Sequence, residues 1–325
     1  MSEISIIAEN RPAKSRHAVV FCCDAKYLPY AALAIHTLVR NNPVRDFDIC
    51  ITSMDALDMP PALEGHDVRF CHIDVGDAFA GFPTSERFSV AAYLRLALPQ
   101  AFSTEYSRVL YLDSDIFIVG DALETVFSLN LSNSPVGAVT DITKLKHPTR
   151  PTEDQKDLGL NGPYFNSGVL LVDVQRFIEA RVLERCAEVA VFYKDRPIFF
   201  DQTLLNVALQ EEWMELNMAW NWQWPFSRSL FESFLDVQIV HFIGSDKPWS
   251  DPKRKLPMRY REITRRFFQQ YYPSLADKIP SPDIPLGRGA LFRFFFRHMT
   301  KIHLFTKGYN RQCGDIMKVL PPDGR

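Results

Sequence analysis

The chain has 325 residues, 46% hydrophobic and 23% charged, which fits a globular protein of one large α/β domain or two ordinary ones and excludes general disorder. A formal net charge of −2 argues against a general nucleic-acid binder, and no apolar run reaches the eighteen or so residues of a membrane-spanning helix. That average hides an asymmetry. Residues 251–325 carry sixteen Lys and Arg against six Asp and Glu, a net +10 that leaves −12 on the first 250 residues.

The opening segment, MSEISIIAENRPAK, lacks the basic start and long apolar core of a signal peptide. Residues 17–23 then read as a buried strand closed by Asp24. Apolar residues at Leu28, Ala31, Ala32, Ile35, Leu38 and Val39 have helical spacing, and Asn41-Asn42-Pro43 stops the helix. Residues 46–52 and 67–73 read as two further strands. Strand, helix, strand in that order is the mark of a βαβ unit and predicts a mostly parallel sheet. A helix over 88–98 ends at Pro99, and a strand over 108–112 runs directly into Asp113-Ser114-Asp115 before the apolar pattern resumes at Ile116.

Residues 135–140 form the next strand. The polar stretch 141–163, with three prolines and two glycines, reads as a long loop, a feature usually functional or mobile. A strand over 168–173, a helix over 174–193, a helix beginning near Asp201 and a strand over 237–244 complete the pattern. Composition changes near Ser250, which divides the chain into an N-terminal extension (1–16), a main domain (17–250) and a basic, aromatic C-terminal region (251–325). None of the six cysteines forms a C-x-x-C pair, so free thiols in a reducing cytoplasm are expected.

Ligands in open α/β sheets sit beyond the carboxyl ends of strands, where Asp24, Asp113, Asp115 and His241 all fall. Two carboxylates and a neutral imidazole suit Mn²⁺ or Mg²⁺. The plain alternatives are an Asp-Ser-Asp turn accepting backbone N–H groups and a hydrogen-bonded core histidine. The aromatic run WNWQWPF (220–226) fits either an acceptor-stacking surface or core.

Six segments in one order, VVFCCDAKY, AAYLRLALP, RVLYLDSDIFIVGD, YFNSGVLLVD, FDQTLLN and HFIGSDKPW, resemble the retaining glycosyltransferases of family 8 over roughly residues 17–250. The resemblance implies a Rossmann-like A-type glycosyltransferase fold, a UDP-sugar donor and a manganese ion. It implies that Asp113 and Asp115 are the DxD motif, with Ser114 between them, and that His241 is the third metal ligand. Asp24 would read the uracil edge and Arg95 would lie near the donor. Asn166, Asp201, Gln202 and Asp141 would surround the transferred sugar, and Lys247, in the turn with Gly244, would hold the diphosphate. Asp24-Ala25-Lys26-Tyr27 stands where relatives often carry Asp-Asp-x-Tyr or Asp-Asn beside the uridine; Ala25 and Lys26 depart from that pattern, and Lys26 reads as either solvated or reaching a phosphate. The resemblance further implies transfer of glucose or galactose to a saccharide or lipid-linked acceptor, with lipopolysaccharide or another surface glycan as product. Asp201 is the charged candidate nucleophile, and the reading favours front-side attack over a double displacement. A glycogenin-like self-glucosylating protein and a non-catalytic UDP-sugar binder are the alternatives. Finally, LFRFFFRHMTKIHLF (291–305) places Arg293, Arg297 and Lys301 on one helical face amid aromatic residues. It reads either as a helix lying in an anionic membrane interface, at the inner face of the cytoplasmic membrane, or as a helix docked on the main domain.

Overall fold

A computed structural model describes residues 3–83, 90–193, 200–224, 235–251, 256–279, 287–289, 291–293, 295–296, 298–300 and 314–322. The chain opens with β1 (Ser5–Glu9), β2 (His17–Cys22), α1 (Leu28–Asn41), β3 (Asp48–Ser53) and β4 (Val68–Asp74). A 3-10 turn (Val90–Tyr93) leads into α2 (Leu94–Ala101), followed by β5 (Arg108–Leu112), β6 (Ile116–Ile118) and β7 (Val136–Thr140). Next come α3 (Ile142–Lys146), α4 (Glu153–Leu158), β8 (Phe165–Asp173), α5 (Val174–Glu179), α6 (Val182–Phe192) and α7 (Phe200–Leu209). The later elements are β9 (Trp213–Leu216), β10 (Trp222–Trp224), β11 (Ile239–Phe242), α8 (Met258–Tyr271) and β12 (Val319–Leu320).

The main sheet runs β1-β4-β3-β2-β5-β8-β7-β9-β12, and β10-β11-β6 form a smaller sheet. Strands β4, β3, β2 and β5 are a continuous parallel block. Their side chains alternate between two cores. Val19 and Phe21 of β2 face the core that also holds α1 and α8, while Ala18 and Val20 face the core shared with α2, α6 and α7. Strand β8 runs antiparallel to β5. Its first residues therefore lie beside the last residues of β5, with Asp113 N–H donating to the Gly168 carbonyl at 2.9 Å. That reversal gathers residues from two distant sequence segments at one end of the sheet.

Three expectations change. Helix α2 passes through Pro99 and ends at Ala101; burial of Leu94, Leu96, Ala97 and Leu98 outweighs the cost, of order 3 kcal/mol, of a proline inside a helix. The stretch 141–163 is not one loop, for it contains α3 and α4. Asp141 caps α3, and Thr152 and Gln155 form a reciprocal capping box on α4, which closes at Gly159 with φ 70°. The helix over 174–193 is two helices, broken where Arg181 takes φ 52°.

The flanking regions are built onto the same body. β1 pairs antiparallel with β4, and β12 with β9. Tyr260, Phe267 and Phe268 of α8 belong to the core that holds β2 and β5. Asn217 Nδ2 and Trp220 Nε1 each donate to the C-terminal segment, at the carbonyls of Asp315 and Ile316, both at 2.8 Å. The five described cysteines are free, and Cys313 lies outside the described residues. No described helix is long and apolar enough to cross a membrane.

A buried charge network fastens the N-terminal segment at the far end of the sheet. Arg69, fully buried, pairs with Glu9 and Glu105 and donates to Tyr106, whose hydroxyl donates to Asp48 at 2.9 Å. Burial raises the Asp48 pKa, but the N–H groups of Lys14 and Ser15, the Tyr106 hydroxyl and Arg11 together hold it below the ordinary value. A carboxyl depressed on folding contributes stability above its unfolded pKa and loses it as pH falls through the folded one. Asp48→Asn is therefore expected to cost on the order of 2 kcal/mol at neutral pH. The gap to wild type should close as the pH falls below about 4, which thermal melts across that range check.

Candidate active site

Asp113 and Asp115 leave the end of β5, and His241 faces them from β11, where it pairs with Ile116 of β6. One ligand atom from each of the three lies within 4.8 Å of the other two. His241 Nε2 is 3.2 Å from Asp115 Oδ1 and 3.7 Å from Asp113 Oδ2. Asp115 Oδ1 is buried with no hydrogen-bond donor among the described residues. Gly168 supplies the remaining room: a β-carbon there would stand 2.2 Å from His241 Cε1 and 2.6 Å from Asp113 Oδ2. An orphaned buried oxygen, a second carboxylate and an imidazole nitrogen facing one methyl-free gap fit a hard divalent cation.

Two cationic side chains flank this group. Arg95 on α2 reaches Asp113 Oδ1 and Asp201 Oδ2, both at 3.1 Å, and the Ser167 carbonyl at 3.1 Å. Its guanidinium lies 4.3 Å from the centroid of the Tyr111 ring, and the Tyr111 hydroxyl donates to Asp113 Oδ1 at 2.5 Å. Burial lowers the Arg95 pKa, but Asp113 and Asp201 outweigh it and keep the guanidinium firmly charged. On the other side, Lys247 donates to Asp115 Oδ2 and to the Phe242 carbonyl. Burial pushes the Asp115 carboxyl up, yet the Lys247 ammonium more than reverses this and holds it well below the usual range. Gly244, at φ 75°, turns the chain after β11, and Trp249 stacks on Tyr30 of α1 at 4.2 Å, which pins the turn that carries Lys247.

The neutral amides stand next to the carboxylates. Gln202 Oε1 accepts from Asn166 Nδ2 and from Ser167 N–H, both at 3.1 Å. Asp201 Oδ2 accepts from Ser167 Oγ at 2.8 Å; burial and Asp113 raise its pKa, while Arg95 and Ser167 draw it back only in part. Asp141, at the end of β7, spends Oδ1 on the Thr143 N–H at 2.8 Å, and burial leaves its pKa raised. Its own N–H donates to the Tyr164 carbonyl, two residues before Asn166. Asp24 follows β2 and accepts from Tyr27 N–H at 2.9 Å, at the head of α1, where Lys26 and Tyr27 are exposed. These residues form the rim of the same sheet end, outside the Asp113–Asp115–His241 cluster. Ser114 lies between the two aspartates and leaves their spacing intact.

The sequence profile described as glycosyl transferase family 8 matches residues 18–253. This chain belongs to glycosyl transferase family 8. Among curated family relatives, glycosyltransferase GlyF of Streptococcus pneumoniae is 27% identical over 72% of this chain, which spans only 58% of GlyF. The lipopolysaccharide glucosyltransferase WaaO of Escherichia coli is 25% identical over 72% of this chain and 69% of its own length. The galactosyltransferase LgtC, crystallised with donor and acceptor sugar analogues, superposes with a TM-score of 0.61 at 22% identity, covering 82% of this chain and 97% of LgtC. That superposition shows the family's A-type fold, a mixed α/β body around a large central sheet.

Sequence reasoning did not single out Gly168 or Asn221, which adjoin Asp113 and His241. The WNWQW run alternates in place: Trp220, Trp222 and Trp224 enter the core, while Asn221 bonds to Asn166 and His241 and Gln223 to the backbone of Thr140 and Ile142. Gln223 Nε2 donates to the Thr140 carbonyl and its Oε1 accepts from Ile142 N–H, both at 2.9 Å, so it braces the segment that begins at Asp141. Only the strict polar–aromatic alternation hinted at this. Phe226 lies outside the described residues. Gly168→Ala would push a methyl group between Asp113 and His241 and is expected to weaken binding of a divalent cation at least tenfold. Titration with Mn²⁺ checks this, and retained affinity would show that the cluster is not the cation site.

Proposed function

We propose that this family 8 protein is a metal-dependent, retaining hexosyltransferase that moves glucose or galactose from a UDP-sugar to a saccharide or lipid-linked saccharide acceptor. Lipopolysaccharide or another surface glycan is the product class, by analogy with WaaO and with the lipopolysaccharide 1,3-galactosyltransferase of Salmonella typhimurium, 27% identical over 51% of this chain. The observation that carries the reading is the Asp113–Asp115–His241 cluster at the β5 end in a family 8 chain. Those three residues would hold a manganese or magnesium ion, whose charge offsets that of a bound diphosphate.

Asp24, with Lys26 and Tyr27 beside it, would take the nucleoside. Arg95 holds Asp113 and Asp201 in fixed positions. As the anomeric bond breaks, negative charge grows on the departing diphosphate, and the Lys247 ammonium is the group placed to meet it after releasing Asp115. Asn166, Gln202 and Asp141 would orient the sugar hydroxyls. Two details favour front-side attack. Asp201 is tied into an ion pair with Arg95, and Gln202 Oε1 is already engaged by two donors, so neither is a free nucleophile. The acceptor hydroxyl then attacks from the face the diphosphate leaves, and its proton passes to the departing phosphate oxygen.

A screen of UDP-hexoses with Mn²⁺ tests the reading. Asp113→Asn and Asp115→Asn should each reduce transfer as far as a chelator does while the protein stays folded. Binding of UDP-hexose with no release of UDP would leave a nucleotide-sugar binder, and full activity in both variants would remove the metal assignment.

The same reading extends to the C-terminal region, whose net +10 charge complements an anionic lipid surface. Leu291, Phe292, Phe295, Phe296 and Met299 are exposed at helical positions, with Phe292 at 69% and Phe296 at 61%. Arg297 and Lys301 lie outside the described residues. An apolar face on a basic segment suits a helix seated in the interface of an anionic membrane, where a lipid-linked acceptor resides, on the cytoplasmic side. Removing the whole C-terminal region would also remove β12, so substitution is the better test. Phe292→Ser, Phe295→Ser and Phe296→Ser together should abolish sedimentation with phosphatidylglycerol vesicles and leave transfer to a small soluble acceptor intact. Unchanged sedimentation, or equal binding of the wild type to phosphatidylcholine, would refute the membrane assignment.

A further inference from the structure

Asn221 is almost fully buried and sits in a single hydrogen-bonded chain with His241, Asn166 and Gln202. Side-chain amides can be turned either way, so the direction of such a chain has to be fixed by groups whose role is not in question. Two backbone N–H groups do this. Ser167 N–H points at one end of the Gln202 amide, 3.1 Å away, and that end must be the oxygen. Gly168 N–H points at one end of the Asn166 amide, 3.2 Å away, and that end must likewise be the oxygen. Asn166 then offers its NH₂ to Gln202 Oε1.

The group that faces the Asn166 oxygen at 2.8 Å must be a donor, so Asn221 presents its NH₂ there. Its oxygen is left toward His241 Nδ1, 3.1 Å away. An amide oxygen accepts only, so Nδ1 must carry the hydrogen. In the neutral ring Nε2, the atom 3.2 Å from Asp115 Oδ1, then keeps its lone pair.

We propose that Asn221 is a positioning residue that sets the tautomer and ring orientation of His241, and through Asn166 links the cation-binding group to the amide of Gln202. The inference rests on the reading of Asp113, Asp115 and His241 as a cation site, and its most direct test does not. Ligating histidines generally donate their second ring N–H to an oxygen that fixes the ring, and loss of that partner typically weakens metal binding 10–100-fold. Here the partner is an amide with a second obligation. The carboxylate that more often fills this place could accept from His241 but could not donate to Asn166. An asparagine can do both, which gives a physical reason for this residue type among three tryptophans.

The two obligations can be separated. Asn221→Asp keeps an acceptor for His241 and loses the donor to Asn166; Asn221→Leu loses both, and Asn221→Ser serves if the leucine variant fails to fold. Nitrogen-15 NMR of histidine-labelled full-length protein in alkaline buffer, without metal or nucleotide, reads the tautomer. The wild type and Asn221→Asp should carry the hydrogen on Nδ1 of His241, and Asn221→Leu should show a mixture. Mn²⁺ titrations with and without UDP should give near-wild-type affinity for Asn221→Asp and a 10–100-fold loss for Asn221→Leu. Turnover should fall in both variants, in Asn221→Asp with little change in donor KM. An Nε2-protonated His241 in the wild type would overturn the inference, as would wild-type tautomer and Mn²⁺ affinity in the folded leucine or serine variant. Absence of hexose transfer by the wild type, with the expected tautomer and Mn²⁺ affinities, would instead refute the proposed activity and leave Asn221's role standing.

Discussion

Like charges packed into a poorly solvated space repel, and the functional end of this molecule is arranged around that cost. Asp113, Asp115 and Asp201 converge where β5 and β8 meet, and burial alone would favour the neutral forms of Asp115 and Asp201. Arg95 answers two of them from one side, and Lys247 answers the third from the other. The helix that carries Arg95, the turn pinned by Trp249 and the glycine at 168 all serve that electrostatic balance. A divalent cation entering the cluster would take over the work Lys247 does at Asp115, which frees the ammonium for an anionic ligand.

The antiparallel course of β8 gives this balance its geometry. In a wholly parallel sheet, Asn166, Ser167 and Gly168 would start a strand at the opposite end from Asp113. Reversal of one strand puts the beginning of β8 against the end of β5, so a single backbone hydrogen bond, Asp113 N–H to Gly168, ties two functional segments together. Helix α7 then packs across them, and the paired bonds of Asn206 to Phe165 hold Asp201 and Gln202 in register with β8.

Much of this was legible in the sequence because buried parallel strands leave uninterrupted apolar runs, and carboxylates at their ends stand out against them. Asp113, Asp115 and His241 could be placed on strand ends from such runs alone. What stayed hidden was either short or dependent on pairing. Helices α3 and α4 are five and six residues long, too short to show a period, and they exist through their caps; the Thr152-x-x-Gln155 spacing was the readable clue. Pro99 misled because its penalty is local while the burial that offsets it is tertiary. Asn221 was masked by the tryptophans around it, and its meaning arises only when β10 lies beside β11. Gly168 read as an ordinary strand residue because the need for an absent methyl group is visible only with His241 opposite it.

The ends of the nine-stranded sheet carry a consequence of their own. An edge strand displays unpaired N–H and C=O groups and is a template on which another chain can add. One edge here is β1, whose pairing with β4 is interrupted by a bulge between Ile6 and Ala8. The other is the two-residue β12, laid over β9 and secured by Asn217 and Trp220. A bulged strand and a very short one both make poor templates. Without β12, β9 would present its unpaired backbone N–H and C=O groups at that edge. The short C-terminal strand thus covers an edge that lies away from the Asp113–Asp115–His241 cluster.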